Sequence, residues 1–365
     1  MAKTDWIIDG HQDIAFESLV NRRDYTLPIA KIRALESSRI DNQATLSWDA
    51  YQKGNIRLIF STIFIEPQSH GCPPFAAGTH YATKQQFHEG VEHQLSFYRH
   101  YQNDYPDKFR LIATQEQLDE FLRDKEDHPD DGLIGLVLLL EGCEGLRSFD
   151  DICIYSEAGI RIIGPVWEGG RWCGGTFSGT ADRLTAEGRT LLRHLAAAKQ
   201  ILDISHMNSL SAMDSLESYQ GIVIASHANC RALLANPPNE RQLDDLTIKR
   251  LIERDGVIGV IPFNEFLDSS WQSRNPREQV TLRELSNHID HICQLAGDAN
   301  HVAIGSDLDG GFGFPNIPLE MNDVGDLRLM EHILQQKGYH QDEITAVFHG
   351  NWLRILKKGL PSWKK

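Results

Sequence analysis

The chain lacks any apolar run of membrane-spanning length, and no apolar signal core follows its first residues, Met1-Ala-Lys-Thr-Asp5. These absences argue against a bilayer anchor or an export signal, so a cytoplasmic protein without a membrane partner is expected. Cysteine is sparse and scattered: Cys72, Cys143, Cys153, Cys173, Cys230 and Cys293 show no C-x-x-C spacing. That excludes zinc knuckles and dithiol redox motifs, and it reads as reduced thiols. Basic residues are also in deficit. With 36 Lys and Arg against 51 Asp and Glu, the formal net charge is −15. A chain of that sign repels phosphate backbones, which removes nucleic acid as a partner. No Ser/Gly-rich linker or repeat divides the 365 residues, so one domain over residues 1–365 is expected.

What the chain does have is a series of short β-branched and aliphatic runs bounded by Gly, Asp or Asn. They cover residues 6–11, 56–64, 133–141, 159–166, 201–206, 221–227, 256–263 and 301–307. Most are apolar nearly throughout, as parallel strands covered by helices on both faces require. Helical stretches fall between them at 184–200, 243–255 and 281–296. In the last of these, Thr281 and Glu284 make a capping-box pattern, Leu282, Leu285, Ile289 and Ile292 form one apolar face, and Gly297 ends the helix. The longest excursion, residues 66–132, holds a helical face with Phe87, Val91 and Leu95, preceded by a Pro-, Gly- and His-rich stretch at 66–81 that reads as a loop over the mouth.

Alternating strands and helices of this number predict a (β/α)8 TIM-type barrel with inserted loops at its C-terminal face. A doubly wound open sheet is the competing architecture. The barrel accounts better for one observation: the reactive residues His11 with Asp13, Glu141, His206, His227 and Asp307 all fall at C-terminal strand ends. An open sheet would spread them apart.

Half-desolvated carboxylates and imidazoles at strand ends need a partner or a cation. His11 and Asp13, alternate residues in Asp-Gly-His-Gln-Asp, can face one ion while Gln12 points away. The plainer reading is a buried His oriented by an Asp. Glu141 follows the run Leu136 to Leu140 and suits a bridge between two cations. His206 and His227 each end in Ser-His on consecutive strands, close enough to share a second ion. Asp307, in Ile-Gly-Ser-Asp-Leu-Asp-Gly, can ligate metal or move protons, with Asp309 on the same face if the strand continues.

Taken in order, Asp9-Gly-His-Gln-Asp13, Glu141-Gly142, Asp203-Ile-Ser-His-Met207, Ala225-Ser-His-Ala-Asn229, Gly305-Ser-Asp-Leu-Asp-Gly310 and Gly350-Asn-Trp-Leu-Arg354 resemble the membrane (renal) dipeptidase family across nearly the whole chain. The resemblance implies a zinc metallopeptidase with an amidohydrolase-like barrel. His11, Asp13 and Glu141 would hold one Zn2+, and Glu141, His206 and His227 the other. Asp307 would be the acid/base. Arg241, reached by allowing a short insertion at Pro237, Pro238 and Asn239, would grip the carboxylate of a dipeptide substrate. A homodimer is a family-level expectation.

Two positions depart from the family pattern. Trp167 stands where the family usually places a substrate-contacting His, and Glu141-Gly-Cys-Glu144 replaces a common Gly and His. Trp167 is expected at the substrate, as an apolar wall shared with Trp172 or as packing at the rim. Cys143 is expected to be a small buried residue. Three activities fit: a dipeptidase, a hydrolase of another small amide such as an N-acyl amino acid or lactam, or a non-catalytic binding protein on the same barrel.

Overall fold

The computed structural model describes residues 6–36, 43–71, 73–129, 131–177, 182–271 and 277–362; Met1 to Asp5 and Cys72 lie outside them. Eight parallel strands form the core: β1 (Ile7–Gln12), β2 (Ile56–Phe64), β3 (Ile134–Glu141), β4 (Ile160–Gly164), β5 (Ile201–Asp203), β6 (Val223–Ile224), β7 (Ile258–Val260) and β8 (Val302–Ile304). Each pairs with the next, β8 pairs with β1, and a parallel bridge between Ala225 and Ile258 joins β6 to β7. The sheet is thereby a (β/α)8 barrel and not an open doubly wound layer. A further short strand, Phe109–Leu111, pairs with β3 outside the ring.

Alternation along the strands divides the core in two. Ile8, Phe60, Val137, Ile162 and Ile224 pack with Trp352 in one cluster, while Ile7, Ile59, Leu138 and Ile163 pack with helix residues in the other. Trp352 is fully buried against these strands. Its Nε1 donates to the Ile304 carbonyl at 2.7 Å, and its ring lies 5.0 Å from Phe60.

The helices form where caps and periodicity place them. Thr281 and Glu284 make a reciprocal capping box on Leu282–Ala296, and Gly297 ends it at φ 84°. Residues 184–200 and 243–255 yield Ala186–Ala197, capped by Thr185, and Asp245–Glu253, capped by Asp244. Phe87, Val91 and Leu95 are buried on one side of Lys84–Asp104. Among its described residues, the stretch 66–81 is a loop except where Glu66–Pro67 pairs with His80–Tyr81. Among the described residues no helix is long and apolar enough to cross a membrane.

Strands β5 to β8 stop sooner than their apolar runs, because side chains intercept backbone donors, most of them from other strands. The next backbone donors are taken by buried side chains: Ser205 N and Ser226 N by Asp203 Oδ1, Ser306 N by Asp9 Oδ1, and Ile261 N by Asn229 Oδ1. The regular ladder is interrupted there, with only single backbone bonds such as Ala228 N to the Gly259 carbonyl and Asp307 N to the His11 carbonyl beyond, and the chain can turn its next side chains over the barrel mouth.

This also corrects the expectation for Asp309. The strand ends at Ile304, Asp307 and Asp309 adopt left-handed φ of 55° and 67°, and Asp309 faces away from the metal-ligand candidates. Its carboxylate accepts from Thr45 N and Oγ1 at 2.7 and 2.6 Å and from Tyr25 Oη at 2.9 Å, with Arg23 Nη1 at 3.3 Å. Asp309→Ala should therefore destabilise the fold by about 3–5 kcal/mol, since it strips one partner from a buried charged network. Urea unfolding checks this; a loss below about 1 kcal/mol would show that the network holds without its carboxylate.

Candidate metal centre and substrate pocket

The strand ends converge on Glu141. Its Oε1 lies 2.8 Å from His206 Nε2 and 3.4 Å from His227 Nε2, and these two nitrogens are 3.0 Å apart. Its Oε2 faces the other way, 3.6 Å from His11 Nε2, which lies 3.8 Å from Asp13 Oδ2 and 3.9 Å from Asp307 Oδ1. Two donor groups thus share one carboxylate. Gly310 makes the second group possible: a Cβ there would lie 2.2 Å from Asp307 Oδ1 and 2.8 Å from Asp13 Oδ2.

The donor chemistry fits a cation. Asp203 accepts the Ser226 hydroxyl proton at 2.5 Å, so Ser226 Oγ is left to accept from His227 Nδ1 at 2.7 Å. His227 Nε2 therefore presents a lone pair toward Glu141 Oε1 and His206 Nε2. Acceptor atoms about 3.3 Å apart are what tetrahedral zinc with bonds of about 2.0 Å gathers. In addition, Asp13 Oδ1 and His206 Nδ1 are buried with no hydrogen-bond partner among the described residues.

The charges of these groups act on one another. Burial pushes the Glu141 carboxyl up, but the His11 and His206 imidazoles outweigh it and hold Glu141 well below the usual carboxylate range. Burial lowers His206 and His227, and the Arg241 guanidinium lowers them further. Asp307 is raised well above the ordinary range by burial, then by the Asp13 and Glu141 carboxylates, against the pull of His11 and Arg241.

A cavity of about 360 Å³ opens over the cluster, lined by Asp13, Glu141, His206, Asp307, Arg241 and Trp167 together with several phenylalanines. Arg241 is only 1 % exposed. Its Nη1 donates to the Ser205 and His227 carbonyls at 3.2 and 3.0 Å, while Nη2 has no partner among the described residues. A larger cavity of about 540 Å³, beside Arg22 and Ile32, contains none of these groups.

Trp167 is partly exposed in the wall of the cavity, 5.1 Å from Phe64 and 6.4 Å from His206 between ring centroids. Trp172 does not join it. It is buried, with Nε1 donating to the Cys143 carbonyl at 2.9 Å and the Arg171 guanidinium over its ring. Cys143 is a small buried residue, and Cys143, Cys153, Cys173, Cys230 and Cys293 are all free.

Residues outside the sequence reading also shape the site. Asp203 lies within 4.8 Å of the His11 and His227 donors, yet both its oxygens are satisfied by Ser205 and Ser226, so it orients His227. Its place inside Ile-Leu-Asp-Ile-Ser-His, a carboxylate in an apolar run, is a signal that could have found it. Phe16, Phe177, Phe263, Phe266 and Phe312 line the cavity with no sequence signal of their own, because they come from helices and loops that follow four different strands.

Known proteins agree with this architecture. Residues 1–360 match the family model described as membrane dipeptidase, peptidase family M19. An uncharacterized protein in the pqqA 5' region of Klebsiella pneumoniae is 33% identical over 238 residues, covering 62% of this chain and 83% of that protein. Dipeptidase tcpJ of Claviceps purpurea is 25% identical over 48% of this chain and 38% of its own length. Among solved structures, a metallo peptidase from Rhodobacter sphaeroides liganded with a phosphinate mimic of the dipeptide L-Ala-D-Ala superposes with a TM-score of 0.78 at 22% identity, over 98% of this chain and 99% of that one. The probable dipeptidase PvdM from Pseudomonas aeruginosa gives 0.74 at 18% identity, over 98% and 96%. At those identities the structures speak for the fold alone, whereas the family match spans nearly the whole sequence: the chain belongs to the membrane dipeptidase family, peptidase family M19.

Proposed function

We propose that this chain is a binuclear zinc dipeptidase that hydrolyses the peptide bond of dipeptides bearing a free C-terminal carboxylate. The observation that carries this reading is the division of Glu141, one oxygen toward His206 and His227 and the other toward His11. His11, Asp13 and Glu141 would hold one ion, and Glu141, His206 and His227 the other. A bound cation pair supplies Lewis acidity, acidifying water and polarising a carbonyl. Nitrogen and carboxylate donors without thiolate suit zinc, and manganese, iron or cobalt are the competitors that metal analysis would distinguish.

The chain's own residues do the rest. Asp307, at the edge of the donor cluster, takes a proton from the attacking water and returns it to the leaving amine. Arg241 offers Nη2, which has no partner among the described residues, to the substrate carboxylate. Because Nη1 is anchored on two carbonyls, the guanidinium is held in place before substrate arrives. Trp167 contributes an apolar wall beside the reacting centre.

Hydrolysis of dipeptides, their C-terminal amides and N-acyl amino acids tests this reading. Arg241→Ala should raise KM for free-carboxylate dipeptides by about 10- to 100-fold, the loss of one charged hydrogen bond, and change the amides far less. Equal effects on both would remove Arg241 from substrate recognition. Cleavage of N-acyl amino acids without dipeptides would transfer the site to another small amide.

A further inference from the structure

The turns after β3 and β4 are bonded to each other along their length. Cys143 N donates to the Pro165 carbonyl at 3.3 Å, Trp172 Nε1 to the Cys143 carbonyl at 2.9 Å, and Arg171 Nη1 to the carbonyls of Glu144 and Leu146 at 2.9 and 2.5 Å. At the centre, Glu144 Oε1 accepts from Trp167 N at 2.8 Å. Gly142 leaves room for that fold-back. Its φ is 71°, and a Cβ there would lie 2.8 Å from Glu144 Oε2 and 3.2 Å from Trp167 Cβ. The two departures from the family pattern, Glu144 and Trp167, are thus one physical unit.

The Trp167 ring also has neighbours in the wall of the cavity. Phe64 lies 5.1 Å away, and His70 meets it edge-on at 5.4 Å while its Nε2 pairs with Glu168 at 2.8 Å. Phe16 extends the same surface, 5.1 Å from Phe64. Phe16 follows β1, Phe64 ends β2 and Trp167 follows β4. Arg241 follows β6 on the other half of the mouth, its Cζ 5.4 Å from the Phe266 ring. A dipeptide whose carboxylate meets Arg241 therefore directs its amino-terminal residue toward the Phe16, Phe64 and Trp167 surface.

We propose that Glu144 is a positioning residue that fixes Trp167 as an aromatic wall, and that this wall selects dipeptides with an aromatic or bulky apolar amino-terminal side chain. The inference rests on the dipeptidase reading, because Arg241 sets the direction of the substrate. Burying a ring against such a wall favours it over a methyl group by at least about tenfold. Without the Glu144 oxygen the Trp167 backbone amide loses its acceptor, and Trp167 loses its fixed position.

The experiment compares L-Phe-L-Ala, L-Ala-L-Phe and L-Ala-L-Ala with zinc-loaded protein and its variants. The native chain should prefer L-Phe-L-Ala to L-Ala-L-Ala in kcat/KM by at least about tenfold, chiefly through KM, with a smaller gain for L-Ala-L-Phe. Trp167→Ala and Glu144→Ala should each bring that ratio within about threefold of unity, whereas Glu144→Gln, which keeps a carbonyl acceptor, should preserve it. Should Glu144→Ala not fold, Glu144→Met keeps the side-chain length without the acceptor and carries the same test. Calorimetric affinities of the same peptides for zinc-loaded Asp307→Asn give the selectivity without turnover. Preferential binding of L-Phe-L-Ala with no cleavage by the native chain would sink the dipeptidase reading and leave the wall standing. Equal affinity for the peptides, or binding of none, overturns the wall, and a preference that survives both Glu144→Ala and Glu144→Met overturns the role of Glu144.

Discussion

Glu141→Gln is expected to release bound metal and abolish hydrolysis in one step. Glu141 ends β3, and its two oxygens serve both donor groups, so the change removes the shared charge from each. The amide can also place an N–H where an anionic oxygen stood, a group that repels a cation and can instead occupy the imidazole lone pairs of His206 and His227. Metal affinity should fall by more than about 100-fold, beyond the range that outer-shell losses produce. Hydrolysis should fall by at least about 10³-fold, because every later step depends on the same assembly. Elemental analysis after gel filtration, paired with a dipeptide assay, measures both. A variant that keeps two equivalents of metal and a tenth of its activity would remove Glu141 from the centre of the account.

Asp307→Asn should separate chemistry from metal binding. The Asp307 carboxylate stands at the margin of the cluster, 3.9 Å from His11 Nε2, on a backbone turned to φ 55° and packed under Gly310. Asn fills the same space, so the turn and the cavity should survive. What it lacks is an oxygen that can take a proton. Turnover should drop by about 10²- to 10⁴-fold, the usual worth of general acid–base catalysis, while both metal equivalents remain and KM shifts little. Because His11, Asp13 and Asp307 also lie within 4.8 Å of one another, loss of one equivalent of metal would reassign Asp307 as a ligand.

These residues were legible in the sequence to different degrees. Strand-end positions such as Glu141 and the Ser-His pairs at His206 and His227 stand out because an apolar run makes the polar residue that ends it conspicuous. The barrel was legible for the same reason, and Thr281, Glu284 and Gly297 marked a helix by chemistry that acts within a few residues. Strand lengths were not. The runs at 221–227 and 301–307 continue past the ladders of β6 and β8, since Asp203 and Asp9 capture backbone donors from neighbouring strands, a long-range effect that no local pattern encodes. Asp309 misled for that reason: alternation assigns it to the face of Asp307, but the left-handed turn sends it to Arg23, Tyr25 and Thr45. Trp167 and Trp172, five residues apart, look alike in the sequence, and only the bond from Trp172 to Cys143 separates a buried support from a cavity wall.

The link between Glu144 and Trp167 was equally hidden. Each departure is visible alone, yet nothing in the spacing of 144 and 167 says that a carboxylate on one turn receives the backbone N–H of the other. Adjacent strands β3 and β4 bring those turns together, so the pairing follows from the barrel's order.

The central claim is that these strand ends hold two metals in order to cleave a small peptide at its free-carboxylate end. The most direct test counts metal in purified zinc-loaded protein and assays the same sample on dipeptides and their C-terminal amides, with a chelated control. The account predicts two equivalents per chain and chelator-sensitive cleavage confined to the free-carboxylate dipeptides. Two equivalents of metal with no cleavage of any dipeptide would contradict it.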